Sequence, residues 1–312
     1  KKYPFFVPLS GGIIEELIGL IDLYPELEAV CDKTLDKFIN DKFFKKTGLF
    51  ITKKHLNSNL WNALFENMTI PIPYKVQNVL CNHFYQFGSW SNYIYSFPFG
   101  PYVQLAKDNT NLIYSIIMAY KKTKKEKYKN AIIQWVEGVK TYLIYNNDVY
   151  RYMNRSYKRR EINLGHIHPL IDVLCDIYMF VDKDEKYIRI TTKIMDKCIN
   201  NYRWDIGLLP TRLNLKQNIL DIQTDFAVSL WRLSECSNNS HYKKITKEIH
   251  QAILKYHFTK KGFVNSIDIH GNKKGTIFPK YNTLLLKLMI LIENEKFQIY
   301  KNEYNHSIMR DR

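Results

Sequence analysis

Two kinds of helix-length apolar segment alternate along this chain. In the first kind apolar residues fall on nearly every side, as in PLIDVLCDIYMFV at 169–181 and YSIIMAY at 114–120. The second kind carries a single stripe. Tyr187, Ile190, Ile194, Met195, Cys198 and Ile199 recur at helical spacing, while Arg189, Lys193, Asp196 and Lys197 lie off the stripe. Tyr128, Ile132, Trp135, Val136, Val139 and Leu143 repeat the pattern, as do Tyr242, Ile245, Ile249, Ile253 and Tyr256. A helix apolar all round must be surrounded by protein, whereas a striped one turns its polar side to water. The alternation therefore predicts an inner and an outer layer of helices joined as hairpins.

The hairpin recurs as a unit: an apolar helix, a short polar turn, a striped helix, then a glycine followed by apolar residues. The glycine corners are Gly48-Leu49-Phe50, Gly207-Leu208-Leu209-Pro210 and Gly262-Phe263-Val264. Near the start, SGGIIEELIGLIDLY pairs with a helix around 35–44. Apolar helices begin near Ile13, Asn111, His168, Gln223 and Asn282, the last three intervals being 57, 55 and 59 residues. The first interval, 98 residues, leaves room for a sixth inner helix near 74–87. The pattern predicts ten to twelve helices, with 168–181 and 282–292 more buried than 187–200 and 242–256. Open helical solenoids also alternate their helices, but these steps exceed the roughly 34–47 residues of their common repeats. A closed all-α ring fits better, an (α/α)6-type toroid with inner and outer rings, forming a single domain over residues 1–312.

This unit resembles the six-hairpin glycosidase-like superfamily, in which hairpins end in a Gly-Leu-Phe/Pro-like corner and the next inner helix begins beside a cleft. The resemblance covers about five-sixths of the chain and is architectural. It implies sugar chemistry in a central cleft, since members include glycoside hydrolases, unsaturated-uronide hydrolases, sugar epimerases and polysaccharide lyases. No one family's catalytic motif matches residue by residue. Toroids that hold zinc through Cys and His are set aside, because those spacings are absent here.

If the inner helices run parallel, their positive dipole ends converge on one face, where anionic side chains and ligands are favoured. The residues at those starts are Ser10, Gly11, Glu15 and Glu16; Asp108, Asn109 and Asn111; His166 and His168; Asp221, Gln223 and Asp225; and Lys280, Tyr281 and Asn282. Hydrolysis of a glycosidic bond needs two carboxyl groups on different elements, roughly 5–10 Å apart. Glu15 with Asp225, supported by Asp221, is the pair this placement suggests as catalytic. Acidic residues in a first helical turn also serve simply as caps, and that reading competes for each of them. A lyase or epimerase would instead move a proton with Tyr or His, and His166, His168, Tyr281 and Tyr152 are the candidates.

Charge and composition narrow the substrate. The net charge is +16, from 46 Lys and Arg against 30 Asp and Glu, which attracts polyanions at low salt. The segment YRYMNRSYKRR at 150–160 mixes Arg151, Arg155, Arg159 and Arg160 with tyrosines, suited to a sugar carboxylate or a phosphate. An exposed basic loop explains it equally well. Trp204 and the aromatic segment 90–102 offer rings for sugar faces or for core packing. The expected substrate is an oligo- or polysaccharide, neutral or acidic, bound by Glu16, His166, His168, the 150–160 loop, Trp204, Gln223, Lys280, Tyr281 and Asn282. Nucleic acid is not favoured. A non-enzymatic scaffold that binds polyanions is the remaining alternative, and a filled centre would favour it.

No phosphate-binding loop, dinucleotide motif, zinc-protease motif or serine-hydrolase elbow occurs, so neither a cofactor nor a metal is expected. The five cysteines are widely spaced without a ligand pattern, which predicts free, mostly buried thiols. Four N-x-S/T sites, at Asn67, Asn154, Asn238 and Asn305, are no more than an Asn-rich chain produces. No run approaches the roughly 18 apolar residues of a membrane span. The segment 283–292 is short and contains Lys287. The pattern is that of a soluble protein, with location and oligomeric state left open.

Overall fold

A computed structural model describes residues 7–50, 109–150, 163–212 and 216–293. Its contacts divide the chain into two compact units, residues 1–145 with 150–160, and residues 146–149 with 161–312. The expected sixth inner helix at 74–87 and the basic loop 151–160 lie outside the described residues.

In the first unit, α1 (Val7–Gly19) packs on α2 (Leu27–Ile39) and α4 (Thr110–Thr123), and α4 packs on α5 (Glu126–Tyr142), which is followed by the short strand β1 (Ile144–Tyr145). Leu112, Ile113 and every residue from Ser115 to Ala119 are buried on α4, as an inner helix requires. All six stripe residues from Tyr128 to Leu143 are buried as well. The helix expected around 35–44 is divided. Asp41 interrupts it by accepting a hydrogen bond from the Phe43 amide at 2.9 Å, so α2 ends and α3 (Lys42–Thr47) begins. At the end of α3, Gly48 takes φ +73°, and a Cβ there would collide with the Gln134 carbonyl of α5. Gly138 faces back, since its own Cβ would collide with the Thr47 carbonyl. Two glycines thus let the corner lie directly on α5.

In the second unit, β2 (Asp148–Val149) precedes α6 (Leu164–Phe180) and α7 (Glu185–Tyr202), and Lys197 of α7 holds Asp148 at 2.7 Å. Next come β3 (Gln217–Ile219), α8 (Leu220–Ser237), α9 (Ser240–His257), β4 (Phe258–Thr259), β5 (Gly262–Asp268), β6 (Lys273–Ile277) and α10 (Pro279–Glu293). The helix α8 packs against α6, α9 and α10 and buries Gln223, Thr224, Phe226, Ala227, Leu230, Trp231 and Leu233. Side-chain caps set the starts of α6, α7 and α9: Asn163, Asp184 and Asn239 accept from the amides of Gly165, Lys186 and His241.

The third corner is more than a turn. Gly262-Phe263-Val264 opens β5, which pairs antiparallel with β3 (Asn218 opposite Ile267), β4 and β6. The hairpin turn between β5 and β6 is fixed by Asp268, whose carboxylate accepts the amides of His270 and Asn272 at 2.9 Å each. The helical pattern of the sequence did not anticipate this small sheet.

At each glycine corner, an amide side chain from the start of an inner helix bonds the backbone. Asn109 accepts the Phe50 N–H at 2.8 Å and donates to its carbonyl at 2.9 Å. Gln223 accepts the Leu209 N–H at 2.9 Å, while Asn218 donates to the Leu209 carbonyl. Asn282 accepts the Phe263 N–H at 3.1 Å and donates to its carbonyl at 3.4 Å. A primary amide matches the donor–acceptor pair of one residue's backbone, as a neighbouring strand would. The clamp satisfies corner groups that have left one helix and not entered another.

The burial expectation holds for one apolar segment and fails for the other. On α6, Leu164, His166, Ile167, Leu170, Ile171 and the run from Val173 to Ile177 are buried, more than on the outer helix α7. On α10, however, only Leu285, Leu288 and Leu291 are buried, while Leu286 and Ile290 are 52% and 45% exposed. Both outer helices bury more than α10 does. Among the described residues α8, β5 and α9 pack on α10, and Leu286 and Ile290 stay exposed beside that packing.

Candidate functional site

The inner helices α6 and α8 of the second unit run parallel, because their contacts climb together along both chains. Ser229 Oγ donates to the His168 carbonyl at 3.4 Å, Arg232 stands 3.7 Å from Asp172, and its guanidinium also pairs with Asp176. At the lower end Gly165 is held tightly between Asn163 and Ile222. Both helix starts therefore open at one end of the unit, where partial positive charge from exposed N–H groups collects.

Asp225 stands near that end, largely buried on the second turn of α8. Burial pushes its carboxyl up to about 6 from an ordinary 3.8. Lys287 and Lys280 of α10 oppose that rise, and Asp172 and Asp221 reinforce it. Asp221, on the first turn, accepts the Ile222 amide at 2.8 Å. Two adjacent acids thus differ in kind: one anchored on backbone N–H, one held in a desolvated place with cations beside it. Asp172 is raised as well, by burial first, against the opposing pull of Arg232 and Ser229. Carboxyl groups held near neutral pKa are the groups that enzymes use to give and take protons.

Of the sequence candidates, Asp221, Asp225 and Lys280 come together in this unit, and Lys287 joins them. His168 is half-buried on the first turns of α6, and His166 is buried beside it. Tyr281 stacks edge-on against Phe278 at 5.3 Å. Trp204 is half-buried, its backbone N–H donating to the Leu208 carbonyl in the turn before the second corner. Gln223 is wholly buried, and both bonds of its carbonyl oxygen, to Leu209 and Asn218, serve the corner. Asn282 serves the third corner in the same way. Their amides hold the backbone of these corners.

Glu15 lies in the first unit, half-buried on α1, and burial followed by repulsion from the exposed Glu16 pushes it up to about 7. Arg151, Tyr152, Arg155, Arg159 and Arg160 lie outside the described residues. Sequence reading missed Asp172, Arg232 and Lys287, three charges set into apolar inner helices. Charge interrupting an otherwise apolar helix was the available signal. Among the described residues no cluster of three or more His, Cys, Asp or Glu side chains is arranged to hold a metal ion, and no helix is long and apolar enough to cross a membrane.

No protein-family model matches the sequence, and no curated protein matches it significantly. Solved structures do match the fold. A D-mannose isomerase superposes with a TM-score of 0.61 at 12% identity, covering 92% of this chain and 71% of that one. A cellobiose 2-epimerase from Spirochaeta thermophila gives 0.57 at 11% identity, covering 94% and 71%. A sugar epimerase from a ruminal bacterium gives 0.51 at 12%, covering 76% and 73%. This likeness shows the fold of the chain to be an all-α, (α/α)6-type toroid of helical hairpins.

Proposed function

We propose that this chain is a carbohydrate-active enzyme in which Asp225 transfers protons to and from a sugar at the N-terminal ends of the inner helices. The observation that carries the reading is the desolvated carboxyl of Asp225, pushed up to about 6, with Lys280 and Lys287 close enough to act on it. Near neutral pH such a group is mostly an anion able to accept a proton, yet acidic enough to return it.

The reaction we favour is isomerisation or epimerisation beside a sugar carbonyl, supported by the fold likeness to a D-mannose isomerase and two sugar epimerases. Asp225 takes the proton from the carbon next to the carbonyl, and the electron pair of that C–H bond moves to the carbonyl oxygen as an enediolate. A neighbouring ammonium group stabilises the developing oxyanion. Returning the proton to the former carbonyl carbon, while the hydroxyl proton of the original carbon passes to the enediolate oxygen, gives the aldose–ketose isomer. When the enediolate turns its other face to Asp225, returning the proton to the original carbon re-forms the carbonyl and gives the epimer.

Glycoside hydrolysis is the second reading, and one observation favours it: Glu15, on another inner helix, is pushed up to about 7. A hydrolase needs a protonated acid of this kind together with an ionised carboxylate. The two readings part in heavy water. Isomerisation places solvent deuterium on the sugar carbon next to the carbonyl, whereas hydrolysis of an oligosaccharide releases new reducing ends without deuterium on carbon. Proton magnetic resonance of mannose, cellobiose and longer manno- and gluco-oligosaccharides incubated with the protein distinguishes them. Deuterium at C2 that disappears in Asp225→Asn supports the favoured reading, and full exchange in that variant rejects Asp225 as the base.

A further inference from the structure

The contacts between α6 and α8 continue past the charged pairs to two cysteines. Each step on one helix is matched on the other: His168 with Ser229, Asp172 and Asp176 with Arg232, and then Cys175 with Cys236. Cys175 and Cys236 each lie seven residues beyond His168 and Ser229, so the parallel helices bring the two thiols face to face, where each shifts the other's titration. Neither belongs to a disulfide, Cys175 is fully buried, and Cys236 is partly open to solvent. Arg232, one helical turn before Cys236, places a guanidinium near the sulfurs.

We propose that Cys175 and Cys236 form an oxidisable dithiol, in which peroxide attacks at Cys236 and the Cys175 thiol resolves the product into a disulfide joining α6 to α8. The first step transfers two electrons from sulfur to peroxide: the Cys236 thiolate displaces hydroxide from hydrogen peroxide and becomes a sulfenic acid. In the second, the Cys175 sulfur attacks the sulfenic sulfur, the S–S bond forms, and the hydroxyl leaves as water with the Cys175 proton. The sum is two thiols and one peroxide giving one disulfide and two waters.

The roles follow from the two environments. Cys236 is the reachable sulfur, and Cys175 beside it holds its thiol below the usual value, with Arg232 adding to this against the opposing effect of burial. Cys175 is raised by that same pairing and by burial, so it stays a thiol until the sulfenic acid appears beside it. The remaining described cysteines lack this pairing. Cys198 is buried and pushed up to about 12, and Cys31 is raised by burial and by Asp32 and Glu28. The disulfide would fix the register of the two helices that carry Asp172, Arg232 and Asp225.

The test treats the reduced full-length chain with a few equivalents of hydrogen peroxide, blocks remaining thiols in denaturant, and maps peptides by mass spectrometry. The expected result is loss of two of the five thiols and a Cys175–Cys236 linked peptide, reversed by dithiothreitol, in a chain that stays monomeric on a non-reducing gel. Cys198→Ser should behave as the parent chain. Cys236→Ser should keep its other four thiols. Five intact thiols, a disulfide using another cysteine, a cross-linked dimer, or stable sulfinic acid on Cys236 without the linked peptide would each overturn the proposal. Because the parent chain gives the linked peptide directly, poor folding of a variant does not remove the test.

Discussion

Replacing Asp225 with Asn separates a proton-transferring acid from a helix cap by the pH dependence of stability. Unfolded, the carboxyl titrates near 3.8; folded, burial holds it at about 6. The folded chain therefore keeps the proton more tightly, and between those values it binds more protons than the unfolded chain. Well below pH 3.8 the group is neutral in both states and contributes no difference. As pH rises from 4 through 6 a penalty accumulates, levelling off at roughly 3 kcal/mol, at about 1.4 kcal/mol for each pH unit between the two values. Asparagine has nearly the same shape and no charge. Asp225→Asn should thus be close to neutral at pH 4 and stabilising by up to about 3 kcal/mol at pH 8, while turnover falls roughly 10²–10⁴-fold. Urea unfolding at the two pH values, with unchanged slope, reads the first quantity, and initial rates read the second. A variant equally stable to its parent at pH 8, or destabilised at both pH values, would refute the claim that Asp225 is held ionised against its burial.

Lys287→Met should raise the Asp225 carboxyl further and move the acid limb of the kcat/KM profile to higher pH, because Lys287 is the foremost group holding that pKa down. An unmoved limb would show that Lys287 does not act on the titrating group. Asn109→Ala should cost about 3 kcal/mol by urea unfolding, since it strands the buried N–H and carbonyl of Phe50. Asn282→Ala, on a half-buried corner, should cost about 1 kcal/mol, and equal losses would contradict the link to burial. Gly48→Ala should destabilise by about 2 kcal/mol or more, combining a left-handed backbone with a collision at Gln134. Unchanged thermal midpoints for that variant would show that the corner can shift away from α5.

The hairpin plan was legible because periodicity is local: Tyr128, Ile132, Trp135 and Val139 sit three or four residues apart, and all are buried on one face of α5. The positions of Asp221 and Asp225 near the start of α8 followed from the same reading. What the sequence hid is non-local. Asn109 meets Phe50 across 59 residues, and Ser229 meets the His168 carbonyl across 61, distances at which no periodic signal survives. The β5–β6 hairpin was missed because only Val264, Ser266 and Ile267 are buried on β5, too short an alternation to stand against helical segments on both sides. The burial of α10 was overstated for a different reason. Apolar residues all round record a helix that tolerates neighbours, but they do not say which neighbours the fold supplies.

The most direct measurement is deuterium exchange into sugar carbon. The purified chain and its Asp225→Asn variant are incubated with mannose and with cellobiose in heavy water at pH 7.5, and C2–H signals are followed by proton magnetic resonance alongside reducing-end release from longer oligosaccharides. Proton transfer by Asp225 predicts loss of the C2–H signal together with appearance of the ketose or the epimer, in the parent chain and not in the variant. Exchange that persists undiminished in Asp225→Asn, or no exchange and no reducing-end release with any of these sugars, would contradict the assignment.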